Sequence, residues 1–374
     1  MTAETTLGES VRPALASDGD DVRLFAQSDN DDSDSDAASA ETSSHYSSVS
    51  EDSVPPIQAY GHTYYGDGRF FSPNDASEAR RLRLQHELFK LCLEGQLAAS
   101  RLPLAALSQA DDDDGALPPF HVLDAGTGSG LWAREAAAAW PRADVLAVDV
   151  TSALLPSVET PVPRNLTFEV ADLAGEWPPR LYDFVHMRNL VGGGVRDWRA
   201  LLREAYAHLK PGGYLEFTEV RPRFFDGEGG EEEEKEKTGA VETGEIGAAC
   251  REYEATFADM CARVGLDFDP LPRVPGWLTE VGAAGVRERV DWLPVSGSWG
   301  GDVVSRRKGE LLGEMIDGCL ENWTMMLFGV CGWAEEDTRA LLERVKAEVR
   351  DPKLRAYAKV TFITARKPDV EDDA

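Results

Sequence analysis

An α/β fold built on a doubly wound, mostly parallel sheet is predicted by three observations. From Phe120 onward, short apolar runs alternate with helical segments, the pattern of parallel strands joined by crossover helices. The run Val122-Leu-Asp-Ala125 ends in the turn Gly126-Thr-Gly-Ser-Gly130, which opens a helix. Glycines there let backbone approach a ligand where Cβ atoms would clash. Finally, Asp149 and Asp172 close the next two apolar runs.

The elements follow in order. Residues 1–55 are rich in Ser, Asp, Ala and Glu, hold 13 acidic and 2 basic side chains, and read as a disordered tail. Residues 56–115 form an N-terminal lid segment. Its aromatic stretch contains Tyr60, Tyr64, Tyr65, Phe70 and Phe71, and a helix over 77–94 follows, with Leu82, Leu84, Leu88, Phe89, Leu91 and Leu93 as its apolar face. A core over 116–222 holds strands near 120–125, 144–149, 166–170, 182–187 and 213–219. Its helices run over 131–139 and 197–209, the second closed by a turn at Lys210-Pro-Gly-Gly213. Residues 223–242 read as a flexible acidic insertion. The C-terminal part, 243–370, carries helices over 246–264, 303–320 and 335–349 and closing strands over 286–293 and 357–365.

Composition bounds the function. The 374 residues are 42% hydrophobic and carry a formal charge of −29. Residues 1–55, Asp111 to Asp114 and Asp226 to Lys237 hold −20 of that charge, which leaves a mildly acidic body with no Lys/Arg stripe for a nucleic-acid backbone. Five dispersed cysteines without a CxxC pair suggest neither disulfides nor zinc, and a reducing compartment. No run approaches the roughly 20 apolar residues of a membrane span, and the N-terminus lacks a signal-peptide pattern. A soluble, intracellular protein is expected.

The glycine turn admits two ligand classes. A carboxylate at Asp149 suits both hydroxyls of a ribose, and one at Asp172 suits the exocyclic amine of an adenine. A nicotinamide dehydrogenase is disfavoured because the spacing is Gly126-x-Gly128-x-Gly130 and because Asp124, just before it, would meet a diphosphate badly. S-adenosylmethionine (SAM) carries an ammonium and no phosphate, so a SAM-dependent methyltransferase is the reading preferred.

Several motifs resemble one family. These are Tyr64-Tyr-Gly-Asp-Gly-Arg-Phe-Phe-Ser-Pro-Asn-Asp75, Leu84-Gln-His86, Leu123-Asp-Ala-Gly-Thr-Gly-Ser-Gly130, Tyr182-Asp-Phe-Val-His-Met-Arg188 and Leu209-Lys-Pro-Gly-Gly-Tyr-Leu-Glu216, with Lys308-Gly309 and Arg366-Lys-Pro368. Together they resemble the class I SAM-dependent methyltransferases, and within them the LaeA-like fungal group, over about Tyr60 to Pro368. The resemblance implies a Rossmann-like seven-stranded sheet with a reversed last strand, an N-terminal helical lid and C-terminal helical additions. It implies SAM held at Asp124, Gly126, Thr127, Gly128 and Gly130. The ribose would lie at Asp149 beside Val150, adenine near Ala171, Asp172 and Leu173, and the methionine portion near Met187 and Arg188. The activity implied is methyl transfer to a small-molecule acceptor in fungal secondary-metabolite biosynthesis. The alternative within the same group is a nuclear regulator of secondary metabolism acting through protein partners.

Methyl transfer gains much of its rate from positioning, so a dedicated base is optional. His186, Glu216 and Glu219 are the candidates, with a satisfied core histidine as the competing reading of His186. Arg188 suits the cofactor carboxylate or a neighbour such as Asp183. His86 suits lid orientation or helix packing, and Trp132 suits core packing. Trp292, Trp299 and Trp323, with Met325 and Met326, suit either an acceptor pocket or core. The remaining histidines show no metal-ligand spacing, and no metal is expected.

Overall fold

A computed structural model describes residues 54–109, 118–155, 161–175, 177–225, 246–298 and 301–369. The Ser-rich tail, the Asp111 to Asp114 run, the 226–239 insertion and Trp299 lie outside the described residues. The chain enters through a hairpin, β1 (Ile57–Ala59) and β2 (His62–Tyr64), whose two-residue turn puts Tyr60 and Gly61 at φ 54° and 82°. Helix α1 (Ala76–Cys92) starts where Asp75 accepts the backbone N–H groups of Ser77 and Glu78.

The core then alternates strand and helix: β3 (Phe120–Ala125), α3 (Leu131–Ala139), β4 (Ala143–Asp149), β5 (Leu166–Val170), β6 (Tyr182–Arg188), α4 (Trp198–Ala207) and β7 (Leu209–Phe225). A short α2 (Leu104–Leu107) precedes it. After residue 246 come α5 (Ala248–Arg263), α6 (Val274–Glu280), β8 (Ala284–Pro294), α7 (Val303–Cys319), α8 (Met325–Val330), α9 (Glu335–Arg350) and β9 (Tyr357–Arg366). The seven strands lie in the order β5-β4-β3-β6-β7-β9-β8. The first five are parallel, and β9 is antiparallel to both β7 and β8. The chain leaves β3 toward β4 on one side and returns to β6 on the other, so a crevice opens beyond the carboxyl ends of these strands.

Two local expectations change. Lys210-Pro-Gly-Gly213 does not close the preceding helix as a turn. That helix ends at Ala207, with His208 as its cap, and the segment lies inside β7 as an irregular stretch. Gly212, at φ 75°, donates to Lys367 O, and Lys367 N donates to Gly213 O, so the fifth and last strands are tied together there. The buried face of α1 is also less apolar than predicted. Leu84, Leu88, Phe89 and Leu93 are buried, but so are Glu78, Gln85 and His86, while Leu82 lies against the glycine turn. Buried polar side chains on a helix need partners, and here a polar cavity wall supplies them.

Alternate residues of β3, β6 and β7 divide the core. Leu123, Val185, Met187, Leu215 and Phe217 face α4 and α6 in one apolar layer. Between the helices α1, α5, α7, α8 and α9 lies a second and larger apolar layer.

Candidate active site

The glycine turn owes its shape to three left-handed residues, Gly126, Gly128 and Gly130, at φ 79°, 59° and 70°. Side chains are excluded there by neighbours as well as by φ. A Cβ on Gly126 would stand 2.5 Å from Leu190 Cδ2, and one on Gly130 2.7 Å from the Phe168 ring. The turn is pinned to the sheet because Gly126 N and Thr127 N both donate to Val148 O at 2.9 Å. At the end of β4, Asp149 Oδ2 accepts Gly128 N at 2.7 Å. Burial pushes the Asp149 carboxyl up to about 6, against the pull of backbone N–H groups at Gly128, Thr151 and Val150. Just past β5, Asp172 accepts Ala174 N at 2.9 Å and Arg69 Nη2 at 2.7 Å.

A different group lies behind the turn, on one face of the sheet. Asp124, His186 and Glu216 are directly opposite one another across β3, β6 and β7. His186 Nδ1 donates to Asp124 Oδ1 at 2.8 Å, and Thr127 Oγ1 donates to Asp124 Oδ2 at 2.6 Å. The His186 ring stacks on Trp132 at 3.7 Å and 8°. Glu216 accepts Ala99 N and Ser100 N at 3.1 and 2.8 Å. All of these groups are buried, and their bonds hold the turn and the 97–100 segment in place.

A cavity of about 560 Å³ opens at the carboxyl edge of the sheet. Ligand sites usually fall in the range of about 300–1,000 Å³. Of the residues predicted to hold a cofactor, Gly126, Thr127, Gly128, Asp149, Val150, Ala171, Asp172, Leu173 and Arg188 line it. Asp124, Gly130 and Met187 do not: Asp124 turns to His186, Gly130 begins α3, and Met187 points into the apolar layer. Among the three candidate bases, Glu219 lines the cavity, whereas His186 and Glu216 stand behind the turn.

Arg188 is half-buried, and desolvation pushes its guanidinium down to about 10, so it stays charged near neutrality. It lies over the Phe89 ring at 5.4 Å, and its Nη1 donates to His86 Nδ1 at 3.3 Å. Burial first, then the Arg188 charge, pushes His86 down to about 4, leaving a neutral ring able to accept. Asp183 is engaged by Lys210 Nζ and His121 N, so among the described residues Arg188 forms no ion pair. Asn189, at φ 56°, places a buried side-chain oxygen without a hydrogen-bond partner among the described residues at the same wall.

Comparison with known proteins agrees with this geometry. A methyltransferase-domain family model matches residues 84–269. The methyltransferase pytC of Aspergillus terreus is 30% identical over 339 residues, covering 90% of this chain and 95% of the relative. This chain belongs to the class I SAM-dependent methyltransferases. The secondary metabolism regulator LAE1 of Cochliobolus heterostrophus is 26% identical, over 84% of this chain and 97% of its own. The probable methyltransferase tdiE of Emericella nidulans is 25% identical, over 78% and 82%.

The chemistry of the cavity wall fits the cofactor of this methyltransferase family. A bare glycine cradle, two carboxylates at strand ends and Arg188, which forms no ion pair among the described residues, match an uncharged ribose, an adenine amine and a carboxylate.

Two features of the methyltransferase site were not anticipated. Arg69 reaches from the aromatic segment to Asp172, and Arg81 of α1 holds Glu78 through both Nε and Nη2 while its Nη1 donates to Gln85 Oε1. Arg69 stands in a Gly-Asp-Gly-Arg stretch, and nothing in its sequence neighbourhood marks a partner 103 residues away. An adenine amine aimed at Asp172 Oδ2 has to displace the half-exposed Arg69. Arg69→Ala is therefore expected to raise the SAM association rate about two- to fivefold, the scale of an exposed ion pair. Stopped-flow tryptophan fluorescence measures it, and an unchanged rate means that Arg69 does not compete for Asp172.

The tryptophan cluster expected in the C-terminal third divides. Trp323 lines the cavity below Arg81, at 5.5 Å from its guanidinium carbon. Trp292 packs instead against Tyr357 and Phe225 at the far edge of the sheet, and Met325 and Met326 belong to the apolar layer.

Proposed function

We propose that this methyltransferase binds SAM along Gly126, Thr127, Gly128, Asp149, Val150, Ala171, Asp172, Leu173 and Arg188 and methylates a small-molecule acceptor of fungal secondary metabolism. One observation carries the acceptor half. Besides the cofactor residues, Arg188 and Glu219, the same cavity is walled by Tyr253, Phe257, Leu312, Met315, Ile316 and Trp323. Such a buried, largely apolar chamber takes a compact organic molecule. Asp149 is read as the ribose acceptor, Asp172 as the adenine partner, and Arg188 as the counter-ion of the cofactor carboxylate. Asp124, Gly130 and Met187 act from behind by shaping the turn and the strand ends. The five unpaired thiols suit a reducing compartment. Among the described residues, no helix is long and apolar enough to cross a membrane.

A second reading has support from the relatives named as regulators of secondary metabolism. In it, the chain works in the nucleus through protein partners and methylates protein or nothing at all. Incubation with methyl-labelled SAM and extracts of a fungal culture separates the two. Label in small organic molecules supports the first reading, and label confined to protein supports the second.

The cofactor half is tested by titration calorimetry with SAM, with NAD as the control ligand. Micromolar binding of SAM alone is expected. Arg188→Met should then weaken SAM roughly 10- to 150-fold, the value of hydrogen bonds between charged groups. A SAM analogue with the carboxylate converted to a neutral amide should respond far less. Equal losses for both ligands would remove Arg188 from the carboxylate.

A further inference from the structure

Glu219 is the one candidate base that reaches the cavity, and its surroundings constrain what it can serve. It lies one residue beyond Thr218, which pairs with Arg188 at the end of β6, so it stands at the carboxyl edge beside the cofactor half. Its Oε2 accepts Val191 N at 3.2 Å. The side chain is buried, at 4% exposure, and lines the cavity.

The charged and titratable groups that share this part of the wall come from four elements. Helix α1 contributes Glu78 and Arg81, β6 contributes Arg188, β7 contributes Arg221 and Arg223, and α5 contributes Tyr253 and Cys261. Arg188 is engaged by the neutral His86 ring, and Arg223 by Glu254 and Asp269. Glu78 is held by Arg81 and by Asn322 Nδ2 at 2.9 Å, and Arg221 is paired with Asp269. The Tyr253 hydroxyl is within 2.9 Å of both Thr324 Oγ1 and Trp323 Nε1. Helix α7 offers only Leu312, Met315 and Ile316 to the chamber. Glu219 is thus a carboxylate held by the backbone N–H of Val191 and facing the cavity beside Leu312, Met315 and Ile316.

The signs of the neighbouring charges select the acceptor. Arg81 is offset by Glu78 and Arg188 by the cofactor carboxylate, so the charge left to repel a cationic amine is the sulfonium of the donor. A carboxylic acid acceptor would need an unpaired cation beyond Arg188, which the cofactor carboxylate occupies. A neutral hydroxyl becomes more negative as its proton leaves, and the sulfonium favours that change.

We propose that the acceptor is a compact apolar molecule with a phenolic or enolic hydroxyl, and that Glu219 is the catalytic residue that takes its proton. This inference rests on the SAM reading of the adjoining half of the cavity. A lone pair of the acceptor oxygen forms the bond to the methyl carbon, the carbon–sulfur bond breaks with its pair to sulfur, and the O–H proton passes to the Glu219 carboxylate. One sulfonium, one hydroxyl and one carboxylate become a thioether, a methyl ether and a carboxylic acid. Burial, opposed by the N–H groups of Val191, Leu190 and Val220 and by Arg81, pushes the Glu219 carboxyl up to about 8. That brings it close to a phenol, near 10, and proton transfer is most effective when donor and acceptor are matched in this way.

The test uses the full chain saturated with sinefungin, a SAM analogue whose ammonium carries the charge of the sulfonium, and its binding is first verified by calorimetry. Three probes with one apolar body, 2-naphthol, 2-naphthylmethylammonium and 2-naphthoate, are then titrated by fluorescence. Naphthol should bind at least about tenfold tighter than either ion, and Glu219→Gln should shrink that advantage by about fivefold or more while leaving sinefungin affinity intact. With SAM in place, methylation of 2-naphthol should fall as pH drops below about 8, because only the carboxylate accepts a proton. Glu219→Gln should lower kcat by roughly 10²-fold or more and abolish that pH limb, whereas Glu219→Asp should keep the limb at reduced rate. Preference for either ion, absence of binding by all three probes, no methylation of bound naphthol, or a pH limb that survives in Glu219→Gln would each overturn the proposal. Failure to bind sinefungin would instead indict the cofactor reading.

Discussion

Asp149→Ala is expected to weaken SAM binding by about two to four orders of magnitude. Two ribose hydroxyls donating to one buried carboxylate are worth about 1.5–3 kcal/mol each. The same carboxylate anchors Gly128 N at 2.7 Å, so its loss also loosens the glycine turn. The effect has a pH signature. The Asp149 carboxyl is held up to about 6, chiefly by burial, and only its ionised form can accept both hydroxyls. SAM affinity should therefore be flat above about pH 6 and fall by up to tenfold per pH unit below it, and Asp149→Asn should abolish this dependence. Stability moves the other way. A carboxyl whose folded pKa is raised costs stability as pH climbs from its unfolded value through about 6. The melting temperature of Asp149→Asn relative to the parent should thus be higher at pH 7.5 than at pH 4. Calorimetry across pH 5 to 8 provides the first measurement, and an affinity that ignores both pH and the substitution would place the ribose elsewhere.

Gly128→Asp is expected to abolish measurable SAM binding, a loss of more than about 10³-fold, through charge and space together. The new carboxylate would stand beside Asp149 in a low-dielectric crevice, and its side chain would fill the cradle that backbone alone now borders. The fold should survive. Aspartate tolerates the left-handed φ of 59° at a cost of about 1–2 kcal/mol, and the Cβ meets only the flexible end of Leu82 at 3.1 Å. A melting temperature lowered by several degrees with no calorimetric signal for SAM is the predicted pair of results. Retained affinity would mean that the turn does not cradle the cofactor.

Much of this architecture is legible along the chain because strands and helices announce themselves by local period. The strands at 120–125, 144–149, 166–170 and 182–187 stand within a residue of the observed β3, β4, β5 and β6. Position within the strand then located Asp149 and Asp172, since a parallel sheet presents its carboxyl ends to one crevice. The segment Lys210-Pro-Gly-Gly213 shows where local rules stop. Proline and glycine signal a turn, yet tertiary bonds from Lys367 draw the segment into a strand.

Asp124, His186 and Glu216 mark the same limit at the site. Composition allowed each a chemical role. Cross-strand register stacks all three behind the turn, bonded to one another, to Thr127 and to the backbone of 99–100, while Glu219, three residues after Glu216, emerges at the edge. The Arg69–Asp172 pair joins residues 103 positions apart and has no sequence signal.

The sequence by itself therefore determined the family, the doubly wound sheet, the glycine turn and the acidic strand ends, because those depend on residue type and short-range period. Tertiary structure alone decided which carboxylates face the cavity, that Arg188 has no ion-pair partner among the described residues, and which side chains wall the rest of the cavity. Those outcomes depend on register and on helices contributed from distant parts of the chain, and a buried charge acquires its chemistry from the partners that packing brings to it.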